Sequence, residues 1–501
     1  MIPLLRNTAQ LTADSTMATM ARSSSSSTSC RGLASACRRR RRGSSPPQAA
    51  RRRPVAVSGH LVGIDLGTTN SSVAVLSPRG PEVIVVDEAT GKRSVPSVVA
   101  LSEDDVLTLQ SWDASHGAVF YSFKRIIGLR PDEISASVRD CLRYKILEGG
   151  EGHGCLVSYG GGQTTTPIAL SSAVVRHLVD VSSAYYGCRS DMEQTSKSTS
   201  ESSVHGAVIA VPAHFTPTQK QATIDAAREA GVEVVHLLQE PVAAALAYGI
   251  DGGTDGETVL VFDWGGGTFD VSVLQAFEGI MEILGTDGNQ FLGGDDIDQL
   301  LVRSVVDVDV DVDDSVLRGA CRSAKEGLAE ADEARIYVEG VVDRAMTRDD
   351  LERLCEPLFV ELATVLDRIG KDLCIEWRVG PFEAISGHDR AMKRKNDTDD
   401  REGRDGIRGG KSRDPWAPPP RTVTKVVLVG QITRLQMVVD YIRRVTGIDP
   451  DCSVDPGEAV AIGAATQAGI LDGSVGSVEL MDGSYSIDLH DRTTGFSNWQ
   501  P

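Results

Sequence analysis

The sequence lacks several features that would assign a function class at once. None of its apolar runs reaches the roughly 18–20 residues of a membrane-spanning helix. Its nine cysteines include no Cys-x-x-Cys pair, so neither a disulfide framework nor a structural zinc site is indicated. A Walker A phosphate-binding motif is also missing, because Gly410-Lys411-Ser412 has Asp405, not glycine, at the required first position. The remaining mix, 41% hydrophobic and 24% charged residues, is that of an ordinary globular protein.

Acidic residues are almost absent from the first 60 residues, which hold eleven Arg, no Lys and one acid, Asp14. This stretch carries a net charge of +10, which leaves −29 for the rest of the chain within the total of −19. A body that acidic repels nucleic acid, so nucleic-acid binding is disfavoured. The Arg-rich and Ser-rich composition predicts a transit peptide over residues 1–58 that is cleaved between about Arg53 and Gly59. The run Ser23–Ser27 favours a chloroplast over a mitochondrion, and a disordered basic arm is the alternative.

Two segments of the sequence predict related β-hairpins. Val62–Ile64 and Ser72–Leu76 flank a turn at Gly67, and Thr258–Phe262 and Phe269–Leu274 flank a turn at Gly265. The segments superimpose without gaps at an offset of 198, with Asp65 on Asp263 and Gly67 on Gly265. This pattern indicates a duplication, and therefore two lobes whose glycine turns face a shared cleft. Glycine lets backbone N–H groups approach an anion, and an aspartate at the strand end can hold a hydrated Mg²⁺.

Alternating strand and helix patterns connect these hairpins and follow them. We expect the strands and helices at the following positions: strands Ala207–Val211, Val232–Leu238 and Val426–Gly430, and helices at 216–230, 242–248, from 295, 317–331, 347–369, 435–445 and 458–470. Residues 376–421 mix eleven basic and nine acidic residues without periodicity, which predicts a disordered insertion. The Asp-Val alternation at 307–313 has no clear assignment to a helix or strand. Residues 195–203 are predicted to be mobile, and residues 483–501 are polar.

Several stretches together resemble the 70-kDa heat-shock (DnaK-type) chaperones of the actin-like ATPase superfamily. They run in that family's order: Gly63–Ser71, Lys124–Gly128, Val211–Phe215, Glu240–Gly249, Phe262–Asp270, Leu292–Asp298 and Asp455–Val460. At Asn70 the sequence resembles the bacterial and organellar branch of this family. The resemblance implies an α/β fold of two duplicated lobes around a nucleotide cleft, with ATP or ADP and Mg²⁺ as ligands. It further implies slow ATP hydrolysis, a J-domain co-chaperone and a nucleotide-exchange factor as partners, and a monomer.

The resemblance also implies roles for individual residues. Phosphoryl transfer depends on positioned water, Mg²⁺ and positive charge. By the family pattern, Asp65 and Asp263 hold the metal's water shell, Lys124 positions the attacking water and Glu240 assists at the γ-phosphate. Asp270 supports metal or water, and Pro212 and Lys220 relay nucleotide state together with Glu240. The catalytic set is Lys124, Glu240, Asp263, Thr268 and Asp270. The cofactor-binding set is Asp65, Gly67, Thr68, Thr69, Asn70, Gly265, Gly266, Gly267, Thr268, Gly294, Asp295, Lys325, Gly430 and Arg434.

The adenosine side departs from the family. Lys325 matches a base-clamping lysine, but Arg322 stands where glutamate is usual, and Ala329 replaces a serine. Gln431 and Ile432 replace Gly-Ser, and Gly457 replaces an aspartate. Bulk or lost polar partners here would cost about 1–3 kcal/mol each, so we expect weakened nucleotide affinity.

The predicted organisation is lobe I over 59–250 and lobe II over 251–471, with a helix at 458–471 that returns to lobe I. Ser477–Asp482 is similar to the family's interdomain linker, and 472–501 is expected to be a linker-like remnant and tail too short for a peptide-binding domain. Two hypotheses remain open. The chain is a chaperone-type ATPase that acts through partners, or a degenerate interaction protein that binds nucleotide poorly. A sugar kinase or actin relative shares the fold but is disfavoured by Phe269–Ser272 and Gly293–Asp296.

Overall fold

The structure is a computed structural model. It describes residues 60–87, 89–101, 107–109, 118–142, 144–149, 154–158, 163–192, 204–250, 256–278, 280–305, 314–385, 419–473, 479–480 and 486–487. All of these belong to one compact unit that begins at Val57. Within these ranges, no helix is both long enough and apolar enough to cross a membrane.

Short strands alternate with helices along the chain. The strands are β1 (His60–Asp65), β2 (Asn70–Ser77), β3 (Gly80–Val83), β4 (Val95–Pro96), β5 (Val98–Leu101), β6 (Leu107–Leu109), β7 (Ala118–Tyr121), β8 (Lys145–Glu148), β9 (Cys155–Ser158), β10 (Thr164–Thr165), β11 (Val204–Val211), β12 (Val234–Gln239), β13 (Glu257–Trp264), β14 (Phe269–Phe277), β15 (Ile280–Asn289), β16 (Glu333–Val338), β17 (Val342–Thr347), β18 (Lys425–Val429), β19 (Glu479–Leu480) and β20 (Ser486–Ile487). The α-helices are Ala136–Cys141, Pro167–Met192, Pro217–Glu229, Glu240–Ala247, Gly294–Val305, Asp314–Glu330, Arg348–Asp372, Pro381–Ile385, Gln436–Thr446 and Ala459–Asp472, and 3₁₀ turns lie at Phe123–Arg125, Pro131–Glu133 and Gln431–Arg434.

Lobe I is built on a sheet in the order β20-β12-β11-β1-β2-β3, with β4 paired to β2. Strands β1, β11 and β12 run parallel, and β1 and β2 form an antiparallel hairpin. Its core combines Val62 and Ile64 of β1 with Leu170 and Leu178 of the helix Pro167–Met192. Parallel strands are covered on both faces, so their sequences read as nearly continuous apolar runs.

Lobe II is built on a second sheet in the order β18-β13-β14-β15-β19. Its hairpin repeats the register of lobe I. Asp65 pairs with Ser72 across β1 and β2, and Asp263 pairs with Asp270 across β13 and β14. The predicted duplication is therefore confirmed residue by residue, because a slip of one residue would turn every side chain to the opposite face.

The helix Ala459–Asp472 packs against lobe I through small residues. A Cβ on Gly63 of β1 would lie 2.0 Å from the Ala465 backbone nitrogen, and one on Gly463 would lie 1.7 Å from the Ala243 carbonyl oxygen. Tyr248 adds a hydrogen bond from its hydroxyl to the Leu428 carbonyl at 2.9 Å. These contacts fix the strand ends of the two sheets next to each other.

The predicted strands and helices listed above for residues 207–248 and 426–470 are confirmed, with ends that differ by one to three residues. The prediction that residues 376–421 are disordered is wrong at both ends of this range. Pro381–Ile385 is helical, and the Glu376 amide donates to the Arg421 carbonyl at 3.0 Å. Trp377 packs on Gly370 and the Tyr441 hydroxyl donates to the Pro381 carbonyl, so apolar contacts order this segment despite its charged composition. The predictions for 1–58, 195–203, 307–313, the middle of 376–421, and most of 477–501 fall outside the described residues.

Candidate functional site

The two glycine turns face each other across a cleft. A Cβ on Gly67 would lie 2.0 Å from the Asn70 carbonyl oxygen, so the first turn closes only around glycine. A Cβ on Gly266 would lie 2.7 Å from Thr69 Oγ1, which shows how closely the second turn approaches the first. The resulting walls present backbone groups and threonine hydroxyls rather than bulky side chains, as an anion-binding cradle requires.

The cleft collects side chains from several separate elements of both lobes. It has a volume of about 150 Å³. Its lining consists of Asp65, Gly67, Thr68, Thr69, Asn70, Ser72, Ser94, Lys124, Arg125, Pro212, His214, Phe215, Gln219, Glu240, Asp263, Gly265, Gly266, Gly267, Thr268, Asp270, Gln290, Val429, Gly430, Gln431, Pro456, Gly457 and Val460. The structure thus brings together every residue of the predicted catalytic set and most of the predicted cofactor-binding set.

A buried ion pair lies on the lobe I side of the cleft. Lys124 Nζ donates to Glu240 Oε1 at 2.5 Å, with side chains only 9% and 15% exposed. Lys124 lies in the 3₁₀ turn Phe123–Arg125, and Glu240 is the first residue of the helix Glu240–Ala247, where a carboxylate is favoured by the helix dipole. Burial alone would lower the pKa of Lys124, but Glu240, Asp65 and Asp263 together raise it. The lysine is therefore held as a fixed cation.

Three aspartates face this lysine from the strand ends of both hairpins. Burial raises the pKa of Asp65 to about 7, with Glu240 adding to the shift and Lys124 opposing it. The pKa of Asp270 is raised to about 7 by burial and by Glu240. Burial and the neighbouring carboxylates raise the pKa of Asp263 well above its usual range. Several carboxylates share one lysine, so the site carries excess negative charge that an added cation would neutralise.

The residues fit a hydrated Mg²⁺ better than a directly caged metal. Among the described residues, no three His, Cys, Asp or Glu side chains converge closely enough to ligate one ion. Mg²⁺ keeps several of its waters and binds through one or two carboxylates plus phosphate oxygens. Asp65 and Asp263, one from each hairpin, have the charge and the placement to accept hydrogen bonds from such waters.

Two cleft residues were not assigned a role from the sequence, although both lie inside the quoted family stretches. Arg125 crosses from lobe I, and its Nη2 donates to the Gly267 carbonyl at 2.8 Å while its guanidinium lies over the Phe291 ring. His214 Nδ1 lies 3.9 Å from Asp270 Oδ1, and burial lowers the pKa of this histidine. A lone arginine or histidine is common on any protein surface. Only the closeness of Arg125 to Lys124 and of His214 to Pro212 in the sequence could have indicated that these two residues belong to the site.

Four predicted cofactor-binding residues do not line the cleft: Gly294, Asp295, Lys325 and Arg434. Lys325 Nζ is bound to Asp298 Oδ1 at 2.6 Å, and Arg434 is paired with Asp455. Asp295, Lys325 and Arg434 thus form ion pairs, and the Gly294 and Asp295 amides donate to the Gly265 and Gly266 carbonyls of the second glycine turn at 3.0 and 2.7 Å.

Comparison with known proteins agrees with this geometry. A family model described as Hsp70 protein matches residues 61–377 and 419–494 and leaves 378–418 unmatched. The chain is 34% identical over 448 residues to the chaperone protein dnaK of Trieres chinensis, which covers 85% of this chain and 63% of that protein. It is 33% identical to the dnaK of Thalassiosira pseudonana, covering 84% of this chain and 64% of the relative. For the chaperone protein DnaK 1 of a Synechococcus strain, the identity is 33% and the coverage is 85% and 52%.

The chain thus spans between half and two thirds of the length of these relatives. The duplicated hairpins, the glycine turns and the match over most of the chain confirm the actin-like ATPase fold and the DnaK-type resemblance. The chain belongs to the Hsp70 family, in the branch that includes cyanobacterial DnaK proteins.

Proposed function

We propose that this protein binds Mg²⁺–ATP in the cleft and hydrolyses it slowly, as the nucleotide-dependent part of a chaperone. One observation carries the proposal. Asp65, Asp263 and Asp270 meet the Lys124–Glu240 pair at the junction of two glycine turns. A non-catalytic protein of the same fold would have no need to hold so much unpaired charge in one cleft, because burying it opposes folding.

Mg²⁺, when bound, would neutralise phosphate charge and orient the terminal phosphate. The chain's own residues would do the rest. Asp65 and Asp263 would accept hydrogen bonds from the ion's waters, and Thr68 and Thr268 would donate hydroxyl hydrogen bonds to phosphate oxygens. Lys124, held by Glu240, orients the attacking water and stabilises the charge that develops on the phosphate. Asp270, on β14 opposite Asp263 of β13, accepts a hydrogen bond from that water.

The relatives' names support a chaperone role for the whole protein, and we extend the proposal accordingly. The two walls of the cleft are lobe I over 59–250 and lobe II over 251–471. A J-domain co-chaperone and a nucleotide-exchange factor act on these lobes, with Pro212 and Lys220 relaying nucleotide state. The basic segment over 1–58 is a transit peptide for a chloroplast. Its support is composition, together with the dnaK relatives of diatoms and cyanobacteria.

Phosphate release by the purified full chain tests the proposal. Release from ATP should require Mg²⁺, and Asp263→Asn should reduce it about 100-fold, the usual effect of removing one electrostatic group from such a site. Asp343→Asn is a matched control, because Asp343 pairs with Arg335 in an exposed hairpin far from the cleft residues. If neither ATP binding by calorimetry nor Mg²⁺-dependent release is found, the interaction-protein hypothesis replaces this one.

A further inference from the structure

Three consecutive carbonyl groups hold the second glycine turn in place. The carbonyls of Gly265 and Gly266 accept from amides at the start of the helix Gly294–Val305, at 3.0 and 2.7 Å, and this helix belongs to the same lobe as the turn. The Gly267 carbonyl instead accepts from Arg125 Nη2 at 2.8 Å, and the arginine belongs to lobe I. One hydrogen bond across the cleft therefore ties the turn of lobe II to the opposite lobe.

The guanidinium of Arg125 lies directly against the backbone of this turn. A Cβ on Gly267 would lie 2.6 Å from Arg125 Nη2, so no side chain fits between the two. Arg125 is the neighbour of Lys124 in the 3₁₀ turn Phe123–Arg125, and both residues line the cleft. The segment that supplies the fixed lysine thus also supplies the contact that holds the opposite turn.

Phe291 provides a second connection between the lobes at the same place. It follows β15 in lobe II, yet it packs against the hydrophobic core of lobe I. The Phe291 amide donates to Asn289 Oδ1 at 2.9 Å, and Asn289 Nδ2 donates to Glu361 at 2.8 Å, so Phe291 is anchored within lobe II. Opening of the cleft at this end would have to withdraw an anchored aromatic ring from the core of the other lobe, which exposes apolar surface.

Arg125 and Phe291 also contact each other. The guanidinium carbon of Arg125 lies 5.5 Å from the centre of the Phe291 ring. A guanidinium at about this distance is attracted by the negative face of an aromatic ring. Arg335 lies over Tyr337 at 5.1 Å in the same manner, but both of these residues belong to strand β16. The contact of Arg125 with Phe291 differs from it because it joins the two walls of the cleft.

We propose that Arg125 and Phe291 form an interlobe clasp that sets how fast nucleotide leaves the cleft. This inference rests on the proposed function, in which the second turn holds the phosphates. Release requires the lobes to separate, so the hydrogen bond to Gly267 and the contact with Phe291 must break first, and such opening steps commonly limit turnover. Arg125 is a positioning residue in this scheme, because it acts through the turn and not on a reacting atom.

Release of Mg²⁺–ADP from the full chain tests the clasp. ADP with a fluorescent group on its ribose is bound first and then displaced by excess ADP, and the fluorescence decay gives the release rate. Arg125→Ala should release it about tenfold faster, because a hydrogen bond to a charged group across the cleft is lost. Phe291→Leu keeps the apolar bulk without the ring and should give about fivefold faster release, whereas Phe291→Tyr should stay within about twofold of the wild type.

A double variant shows whether the two residues act together. If they form one clasp, Arg125→Ala with Phe291→Leu should release ADP within about twofold of the rate of Arg125→Ala alone. A rate about fiftyfold above the wild type, the product of the single effects, would contradict a shared contact. Arg335→Ala is the matched control, since it removes an arginine–aromatic contact that lies within one strand, and it should leave the release rate unchanged.

Hydrogen exchange of the nucleotide-free chain reads the clasp independently. The amides of the second turn should exchange faster in Arg125→Ala than in the wild type, and unchanged exchange would contradict the clasp. A wild-type release rate in Arg125→Ala would overturn the inference and leave the proposed function in place. A wild-type chain that binds neither Mg²⁺–ADP nor Mg²⁺–ATP would remove the proposed function and this inference with it.

Discussion

The cleft and the helices beside it contain the same residue types and use them differently. At the glycine turns, Asp65, Asp263 and Asp270 share the cation Lys124. Between the helices Gly294–Val305 and Asp314–Glu330, Asp295 and Asp298 are matched by Arg322 and Lys325. A carboxylate cluster that lacks cations is destabilised by repulsion between its own charges, and an added cation stabilises it. A cluster in which each carboxylate is paired with a cation contributes to the stability of the fold. Charge balance, and not composition, therefore separates a binding site from a structural cluster.

The largest effect should come from breaking the matched cluster. Asp298→Asn leaves Lys325 and Arg322 without their shared carboxylate, and the free energy of unfolding should fall by about 3 kcal/mol or more. Turnover per folded molecule should change little. Denaturant unfolding and phosphate release measure the two quantities separately. Asp343→Asn, in an exposed pair with Arg335, should cost less than about 1 kcal/mol. Equal costs for the two variants would refute the assignment of the matched cluster to the framework.

Removing the cation Lys124 from the cleft should act on rate more than on stability. Lys124→Ala should lower phosphate release about 100-fold, because the lysine's contribution is concentrated in the transition state. Affinity for Mg²⁺–ATP, measured by calorimetry, should change far less. Lys371→Ala, which removes an exposed lysine paired with Asp367, serves as the control. A wild-type rate in Lys124→Ala would show that this lysine does not position the attacking water.

The unmatched carboxylates should make stability depend on pH and on Mg²⁺. In the folded state, burial raises the pKa of Asp65 and Asp270 to about 7, from 3.8 in an unfolded chain. The folded state then binds more protons than the unfolded state between about pH 4 and 7, so stability falls as pH rises through that window.

Thermal unfolding in EDTA at several pH values measures this loss of stability. Mg²⁺ with ATP should reduce it, since both favour the ionised carboxylates, and Asp65→Asn with Asp270→Asn should flatten the profile. An unfolding midpoint that rises from pH 4 to 7 in EDTA would contradict the description of these carboxylates as buried and short of cations.

The strands and turns were predictable because their signals are local. Buried parallel strands such as β11 read as apolar runs, and the hairpins repeat one pattern at a fixed offset. The helix Pro167–Met192 gave no such signal. It buries Ser171 and Ser182, and the Ser182 hydroxyl donates to the Leu178 carbonyl, so polar residues interrupt its apolar face.

The site was predictable where a turn places it and not where distant elements meet. The glycine turns around Gly67 and Gly265 line the cleft as expected. The ion pairing of Lys325 with Asp298 depends on how the helices Gly294–Val305 and Asp314–Glu330 pack, and spacing along the chain does not fix that. The bulk of Gln431 and Ile432 was evident in the sequence, but the occupation of the space beside Gly457 was not.

The smallest expected effect separates a movable side chain from a fixed backbone. A Cβ on Gly457 would meet only the end of the Gln431 side chain, which can rotate away, so Gly457→Ala should cost less than about 1 kcal/mol. Gly430→Ala, at the residue before Gln431, is its matched counterpart. Its Cβ would lie 2.3 Å from the Trp264 carbonyl oxygen at a positive φ, and it should cost about 1–3 kcal/mol. Denaturant unfolding of both variants makes the comparison. Equal costs would mean that the Gln431 side chain is held as rigidly as the backbone.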